Sequence, residues 1–305
     1  MIVITAKAHP ILQETLLKKG YEVLYAPAIS YAELWNIANE ITGIVVTTRI
    51  KVDRKLVEKA VNLKWIGRLG SGMEQIDVVA AIENNIVCIS SPEGNRDAVG
   101  EQTLGMLLSL MRNISKSALS VKNFEWLREE NRGFELNGKT VGIIGYGNTG
   151  EAFAKLLAPF NVTVLAYDKY KYGFGKHNIK EASFEQIAKF ADVISFHVPL
   201  TEQTWHMADA DFFNSLVNKP YILNTSRGGV VDVASLIVAL EENKIKGAAL
   251  DVLENEDLDS FDEIEKQRFH ILANHPQVIL TPHIAGYTFE AFYKMSKVLL
   301  DKLNL

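Results

Sequence analysis

The 305-residue chain has a single cysteine, Cys88, so no internal disulfide can form. A fold without such staples fits a reducing compartment. Nowhere do roughly 18 apolar residues run together, which argues against a membrane-spanning helix. Charge of one sign is also lacking: 32 basic residues face 37 acidic ones, for a formal net charge of −5. That balance leaves no electrostatic footprint for nucleic acid, so any phosphate binding must be local. Met1–Thr5 has no basic flank and reads as a first strand, not a signal peptide. No low-complexity tract, charge block or internal repeat is present. The expectation is a cytoplasmic protein with neither a nucleic acid nor a membrane as partner.

What is present is ordinary globular composition, with 48% hydrophobic and 23% charged residues. At roughly 150 residues per domain the length suggests two domains. Short apolar runs bounded by turn residues alternate with helix-period segments, the pattern of doubly wound parallel sheets. A first set of strands reads Ile2–Thr5, Glu22–Tyr25, Gly43–Thr47, Leu63–Leu69 and Ile86–Ile89. A second reads Thr140–Gly145, Val162–Tyr167, Asp192–His197, Tyr221–Thr225, Ala248–Val252 and Val278–Thr281. Between the sets, Val99–Lys122 carries Leu104, Leu107, Leu108 and Met111 at helical spacing and predicts one long helix crossing between domains. Thr288–Leu305 is an amphipathic helix that can return to the first domain. The expected boundaries are therefore 1–96 with 287–305, and 97–286.

Gly145-Tyr146-Gly147-Asn148-Thr149-Gly150 matches G-x-G-x-x-G directly after the apolar run Val141–Ile144. Glycines cluster at any tight turn, but a strand before and a helix after are the context dinucleotide binding needs. The first glycine permits the turn, the second lets backbone amides approach a pyrophosphate, and the third allows close helix packing. The next strand ends at Asp168, where a carboxylate can accept from an adenosine ribose and repel a 2′-phosphate. NAD is thus favoured over NADP, with Lys169 and Lys171 nearby as the opposing signal. Upstream, Gly70-Ser71-Gly72 lacks the third glycine and suits a small anion-binding nest, with Arg68 before it and Asn95-Arg96 after the next strand. No histidine stands at metal-ligand spacing from Cys88 or a second histidine, so no metal site is expected.

Three polar residues close apolar strands in the second half: Arg227 after Leu223–Ser226, Glu256 after Leu250–Leu253, and His283 after Ile279–Pro282. Singly each also reads as a surface cation, one acid among several, or a loop residue. Loops beyond strand ends beside a dinucleotide motif are where chemistry is carried.

Asn224–Gly229, Ala249–Glu256 and Thr281–Gly286 resemble the signature segments of the D-isomer-specific 2-hydroxyacid dehydrogenases. With the glycine loop, Asp168, His197–Leu200 and the Gly70 segment, the resemblance spans essentially the whole chain. It implies two Rossmann-like doubly wound domains, a flavodoxin-like substrate domain and an NAD-binding domain, and a homodimer built on the latter. By the resemblance His283 is the acid/base, a role imidazole fills near neutral pH. Glu256 orients it and Arg227 binds the substrate carboxylate or carbonyl. Thr225, Ser226 and Asp251 are assigned to the nicotinamide end, and Asn224 to the cofactor site. His197, Val198, Pro199, Thr204 and Gly286 line the cofactor.

Within the family, Gly67–Gly72 and Pro92–Asn95 look most like phosphoglycerate dehydrogenases, which act in serine biosynthesis. That makes Arg49, Arg68, Ser71, Gly72 and Asn95 substrate contacts for a small anionic 2-hydroxy or 2-keto acid. Arg49 stands two positions beyond the arginine usual in those enzymes, a spacing that keeps the same face of a strand. With Leu305 as last residue, the amino-acid-sensing domain of some relatives and its serine feedback are not expected. Two other readings stay open: a reductase for hydroxypyruvate, glyoxylate or another non-phosphorylated keto acid, and an NAD-sensing regulatory dimer.

Overall fold

The computed structural model describes residues 1–305. The chain divides into two compact units, Met1–Arg96 with Tyr287–Leu305, and Asp97–Gly286.

In the first unit, strands β1 (Ile2–Ile4), β2 (Val23–Tyr25), β3 (Gly43–Val46), β4 (Trp65–Arg68) and β5 (Val87–Ser90) form one sheet in the order β2-β1-β3-β4-β5. Every pairing is parallel. This is the flavodoxin-like order. Helices α1 (Pro10–Lys18), α2 (Tyr31–Asn36), α3 (Arg54–Lys59) and α4 (Val78–Glu83) supply the crossovers. β1 and β3 are buried along their whole length, as apolar strands covered on both faces must be. One face packs Leu34, Leu56 and Ala80, and the other packs Leu12 and Leu16 with Leu299 and Leu300 from the C-terminal helix. That last contact brings the end of the chain back to its beginning.

Helix α5 (Pro92–Met111) leads into the second unit and α6 (Ile114–Lys122) follows it. The single long helix expected from Val99 to Lys122 is thus two, and it begins earlier, at Pro92. Asn113 sits at φ +54, a left-handed conformation that ends the helical hydrogen-bond ladder. Strands β6 (Thr140–Ile144), β7 (Thr163–Tyr167), β8 (Ile179–Glu181), β9 (Val193–Phe196), β10 (Tyr221–Asn224), β11 (Gly247–Leu250) and β12 (Val278–Leu280) order as β12-β11-β10-β9-β6-β7-β8, all parallel. Between β6 and β9 the winding reverses, the point at which open α/β sheets bind ligands. Helices α7 (Asn148–Leu156), α8 (Phe184–Phe190), α9 (Ala210–Ser215), α10 (Val233–Glu241) and α11 (Glu263–Asn274) cover this sheet, and α12 (Phe289–Lys302) belongs to the first unit. β8, α9 and α11 are elements the sequence pattern did not show. No helix is long and apolar enough to cross a membrane.

Gly43 and Trp65 are register partners on β3 and β4, and a Cβ on Gly43 would lie 2.3 Å from the indole. Gly43→Ala is expected to lower stability by about 1–3 kcal/mol, as overpacking does. In urea titrations, Gly43→Ala with Trp65→Leu should recover part of the lost midpoint.

Candidate active site

The glycine loop leaves β6 at Gly145, whose φ of +96 admits only a residue without Cβ at low strain. A Cβ there would also lie 2.5 Å from the His197 carbonyl oxygen. Gly147 caps α7, and a Cβ on it would meet nothing within 4 Å, so its backbone faces open space. A Cβ on Gly150 would lie 2.0 Å from the Gly145 oxygen, which enforces close packing of loop and helix. These are the three demands that a dinucleotide pyrophosphate makes on such a loop, and the residues present fit NAD. Asn148 and Thr149 open the helix at the positive end of its dipole.

Asp168 follows β7 and ties the loop down. Its Oδ2 accepts the Tyr146 N–H at 2.9 Å, and its Oδ1 accepts the N–H groups of Tyr170 at 2.9 Å and Lys171 at 3.1 Å. The Tyr146 ring stacks on Phe174 with centroids 4.4 Å apart. On the other side His197, at the end of β9, pairs Nε2 with Ser195 Oγ at 2.8 Å and Nδ1 with Thr149 Oγ1 at 3.3 Å. Burial pushes its pKa down to about 3, so the ring is a neutral strut between β9 and α7. Beyond it, Val198 abuts the Gly145 position, and Thr204 Oγ1 donates to the Pro199 carbonyl at 2.6 Å, closing the turn 199–204.

At the end of β10, the buried Asn224 organises the segment after it. Its Oδ1 accepts from Ser226 N–H and Ser226 Oγ, and its Nδ2 donates to the Arg227 carbonyl at 2.9 Å. Thr225 pairs with Thr103 of α5 at 2.9 Å, a partner that no sequence pattern pointed to. Arg227 itself is extended, and its Nη1 donates to the Ser226 carbonyl at 2.7 Å. Gly228 is required next to it, because a Cβ would fall 1.8 Å from the Leu253 oxygen.

Asp251 ends β11 and is 1% exposed. Its carboxylate accepts from Thr281 Oγ1, Ile284 N–H and Ala285 N–H, while its carbonyl accepts the His283 N–H at 2.8 Å. This clamp fixes the turn in which His283 takes φ +53 and which ends at Gly286. His283 Nδ1 then meets Glu256 Oε2 at 2.8 Å. Thr281 lay inside a segment that the sequence singled out, but its bond to Asp251 was not legible there.

In the first unit, Arg49 donates to the carbonyls of Ile29, at 2.7 Å, and Thr5. Arg68, buried, donates to the Gly72 carbonyl at 3.0 Å and to that of Leu69, wrapping the Gly70 turn. Ser71 is exposed and Gly72 buried, while Asn95 lies in the first turn of α5 with its Oδ1 buried.

The fold also gathers His206, Asp232 and Glu254, one ligand atom from each within 4.8 Å, a grouping invisible in chain spacing. Asp232 caps α10 by accepting the N–H groups of Ala234 and Ser235, and Glu254 accepts the Val233 N–H at 2.9 Å. His206 pairs with Glu254 at 3.3 Å. The trio fastens the start of α10 to the segment that precedes Glu256.

Residues 104–285 match the family described as D-isomer specific 2-hydroxyacid dehydrogenase, NAD binding domain. The chain is 34% identical over 301 residues to a D-3-phosphoglycerate dehydrogenase of Archaeoglobus fulgidus, covering 97% of this chain and 56% of the relative. It is 34% identical over 271 residues to a hydroxypyruvate reductase of Thermotoga maritima, covering 89% and 86%. A D-lactate dehydrogenase of Aquifex aeolicus, solved with NAD and lactic acid, superposes with a TM-score of 0.88 at 26% identity over 100% of this chain and 94% of that one. The chain spans about half the length of the phosphoglycerate dehydrogenases it matches.

Unfolded histidine titrates near 6.5, whereas His197 stays neutral in the fold down to about 3. Between those values the unfolded chain binds the extra proton, so stability is lost as pH falls through that window. From this residue the loss is at most about 1.4 kcal/mol per pH unit. Urea unfolding at pH 7 and pH 4.5 should show a smaller difference for His197→Gln than for the wild type.

Proposed function

Because the chain belongs to the D-isomer-specific 2-hydroxyacid dehydrogenase family, we propose that it interconverts a D-2-hydroxy acid and its 2-keto acid with NAD(H). The proposed pair is D-3-phosphoglycerate and 3-phosphohydroxypyruvate, by likeness to the relatives of that name, which would place it in serine biosynthesis. The observation that carries the reading is the His283–Glu256 pair at the carboxyl edge of a Rossmann-ordered sheet. With Nδ1 donating to Glu256, the imidazole is held in one orientation and Nε2 is its working nitrogen. In oxidation Nε2 takes the proton of the C2 hydroxyl, and in reduction it returns that proton to the carbonyl oxygen. Arg227 binds the acid's carboxylate by charge-assisted hydrogen bonds and stabilises negative charge on the carbonyl oxygen. When bound, NAD(H) supplies the hydride chemistry. Gly145–Gly150 and the start of α7 hold its pyrophosphate, Asp168 marks its ribose end, and His197, Val198, Pro199, Thr204, Asn224, Thr225, Ser226, Asp251 and Gly286 form the rest of its site.

The first unit is the proposed substrate domain, with Arg49, Arg68, Ser71, Gly72 and Asn95 as contacts. The donors that Arg49 and Arg68 place on backbone carbonyls favour a second reading, a reductase of a non-phosphorylated keto acid such as hydroxypyruvate. The proposed setting is the cytoplasm, supported by the single cysteine. A homodimer is proposed on the second unit, where Phe124 is 100% and Trp126 79% exposed beside Ile114, Leu119 and Phe134. Large exposed apolar side chains close together in the chain are the material of an interaction face.

Two measurements test these assignments. NADH oxidation should be fastest with 3-phosphohydroxypyruvate among that acid, hydroxypyruvate, glyoxylate and pyruvate, and His283→Ala should lower kcat by about 10²–10⁴-fold. Arg68→Ala should reduce the preference for the phosphorylated acid, and preference of the wild type for a plain keto acid selects the second reading. Light scattering should give twice the 34.0 kDa of one chain. Phe124→Ser with Trp126→Ser should shift that mass toward the monomer.

A further inference from the structure

The adenosine end of the cofactor loop departs from simple NAD selection. A carboxylate at the end of the second strand discriminates when its lone pairs face the ribose and its charge repels a 2′-phosphate. Asp168 has roughly four lone-pair sites, and three backbone N–H groups, those of Tyr146, Tyr170 and Lys171, are donated to it. Its charge is thus drawn into the turn that it builds. Cations surround that turn. Lys171 Nζ donates to the Tyr146 carbonyl at 3.1 Å, which sets an ammonium directly on the glycine loop. Lys169, exposed, reaches across to Gln203. In the first turn of α7, Glu151 is held below the usual carboxylate range, chiefly by its hydrogen bond to Lys155, with Lys176 and Lys171 adding to it. The acidic side chains around the turn and the loop after it are three, Asp168, Glu151 and Glu181, the last accepting from the Gly173 and Gly175 N–H groups, against four lysines, 155, 169, 171 and 176.

Resting on the reading of this unit as a dinucleotide-binding domain, we propose that Lys169 and Lys171 form a phosphate grip at the ribose end, so that the chain accepts NADP(H) as well as NAD(H). A lysine offers phosphate a mobile point charge with three donors, and both side chains can swing from their present acceptors without moving the backbone. Asp168 keeps its role in shaping the loop, and its repulsion of the phosphate is offset by two neighbouring positive charges. The grip lies at the surface, so its contribution falls with added salt.

The test is calorimetric titration of the full chain with 2′,5′-ADP and with 5′-AMP, beside fluorescence titration with NADPH and NADH. The grip predicts that 2′,5′-ADP binds within about tenfold of 5′-AMP or more tightly, and that Lys169→Ala with Lys171→Ala lowers the ratio of the two affinities by about tenfold or more. Loss of structure at the loop would weaken both ligands and leave that ratio unchanged, which would overturn the proposal. So would a wild type that binds NADH but prefers 5′-AMP over 2′,5′-ADP by about a thousandfold or more, with the dehydrogenase reading intact. Failure of NADH and 5′-AMP alike to bind would overturn the dinucleotide reading and this proposal with it.

Discussion

The geometry of the proposed active site depends on one buried carboxylate. Asp251 sits at the end of β11 with 1% of its surface exposed, and its carboxylate holds Thr281, Ile284 and Ala285 across the gap to the loop after β12. Two parallel strands cannot by themselves fix the loops that leave them, because the ladder ends with the strand. The Asp251 bonds continue the pairing past that point and define where His283 stands. A carboxylate is suited to this because two oxygens can serve several donors at once, and leaving the buried Ala285 N–H without an acceptor would cost about 1–3 kcal/mol. The contact between His283 and Glu256 is downstream of this clamp.

The same device recurs around the sheet's carboxyl edge. Asp168 ties the end of β7 to the glycine loop, His197 ties β9 to α7, and Asn224 ties β10 to the segment carrying Arg227. Each is a polar residue ending an apolar strand, and each satisfies backbone or hydroxyl groups of a neighbouring segment. The loops of the proposed site are thus held by side chains at the strand ends, which is how a site on loops keeps the precision of a rigid scaffold.

This arrangement explains what the sequence made legible. Strand runs such as Thr140–Ile144 and Tyr221–Asn224 stand out because both faces are covered and the residues are nearly all apolar. The glycine spacing is a local signal, and the structure shows the turn and close packing it requires. Other features depend on contacts distant in the chain and had no local signature. β8 is a three-residue edge strand with Lys180 and Glu181 exposed, and α11 carries only one buried residue, Leu272. The break at Asn113 interrupts an otherwise helical pattern through a single backbone conformation. The pairs Thr103–Thr225 and Thr281–Asp251 join residues 122 and 30 positions apart. For Arg49 and Arg68 the sequence indicated position in the fold, while the backbone carbonyls that accept from them emerge only once the chain is folded.

In the proposed reaction His283, held by Glu256, handles the proton of a D-2-hydroxy acid, and NAD(H) would supply the hydride chemistry when bound. It is tested most directly by incubating the protein with a 2-keto acid and NADH carrying deuterium at both C4 positions of the nicotinamide, then analysing the acid formed by chiral chromatography and mass spectrometry. The account predicts a single D-2-hydroxy acid carrying one deuterium at C2, with formation suppressed in His283→Ala. An L-acid, an unlabelled C2, or undiminished formation in the variant would contradict it.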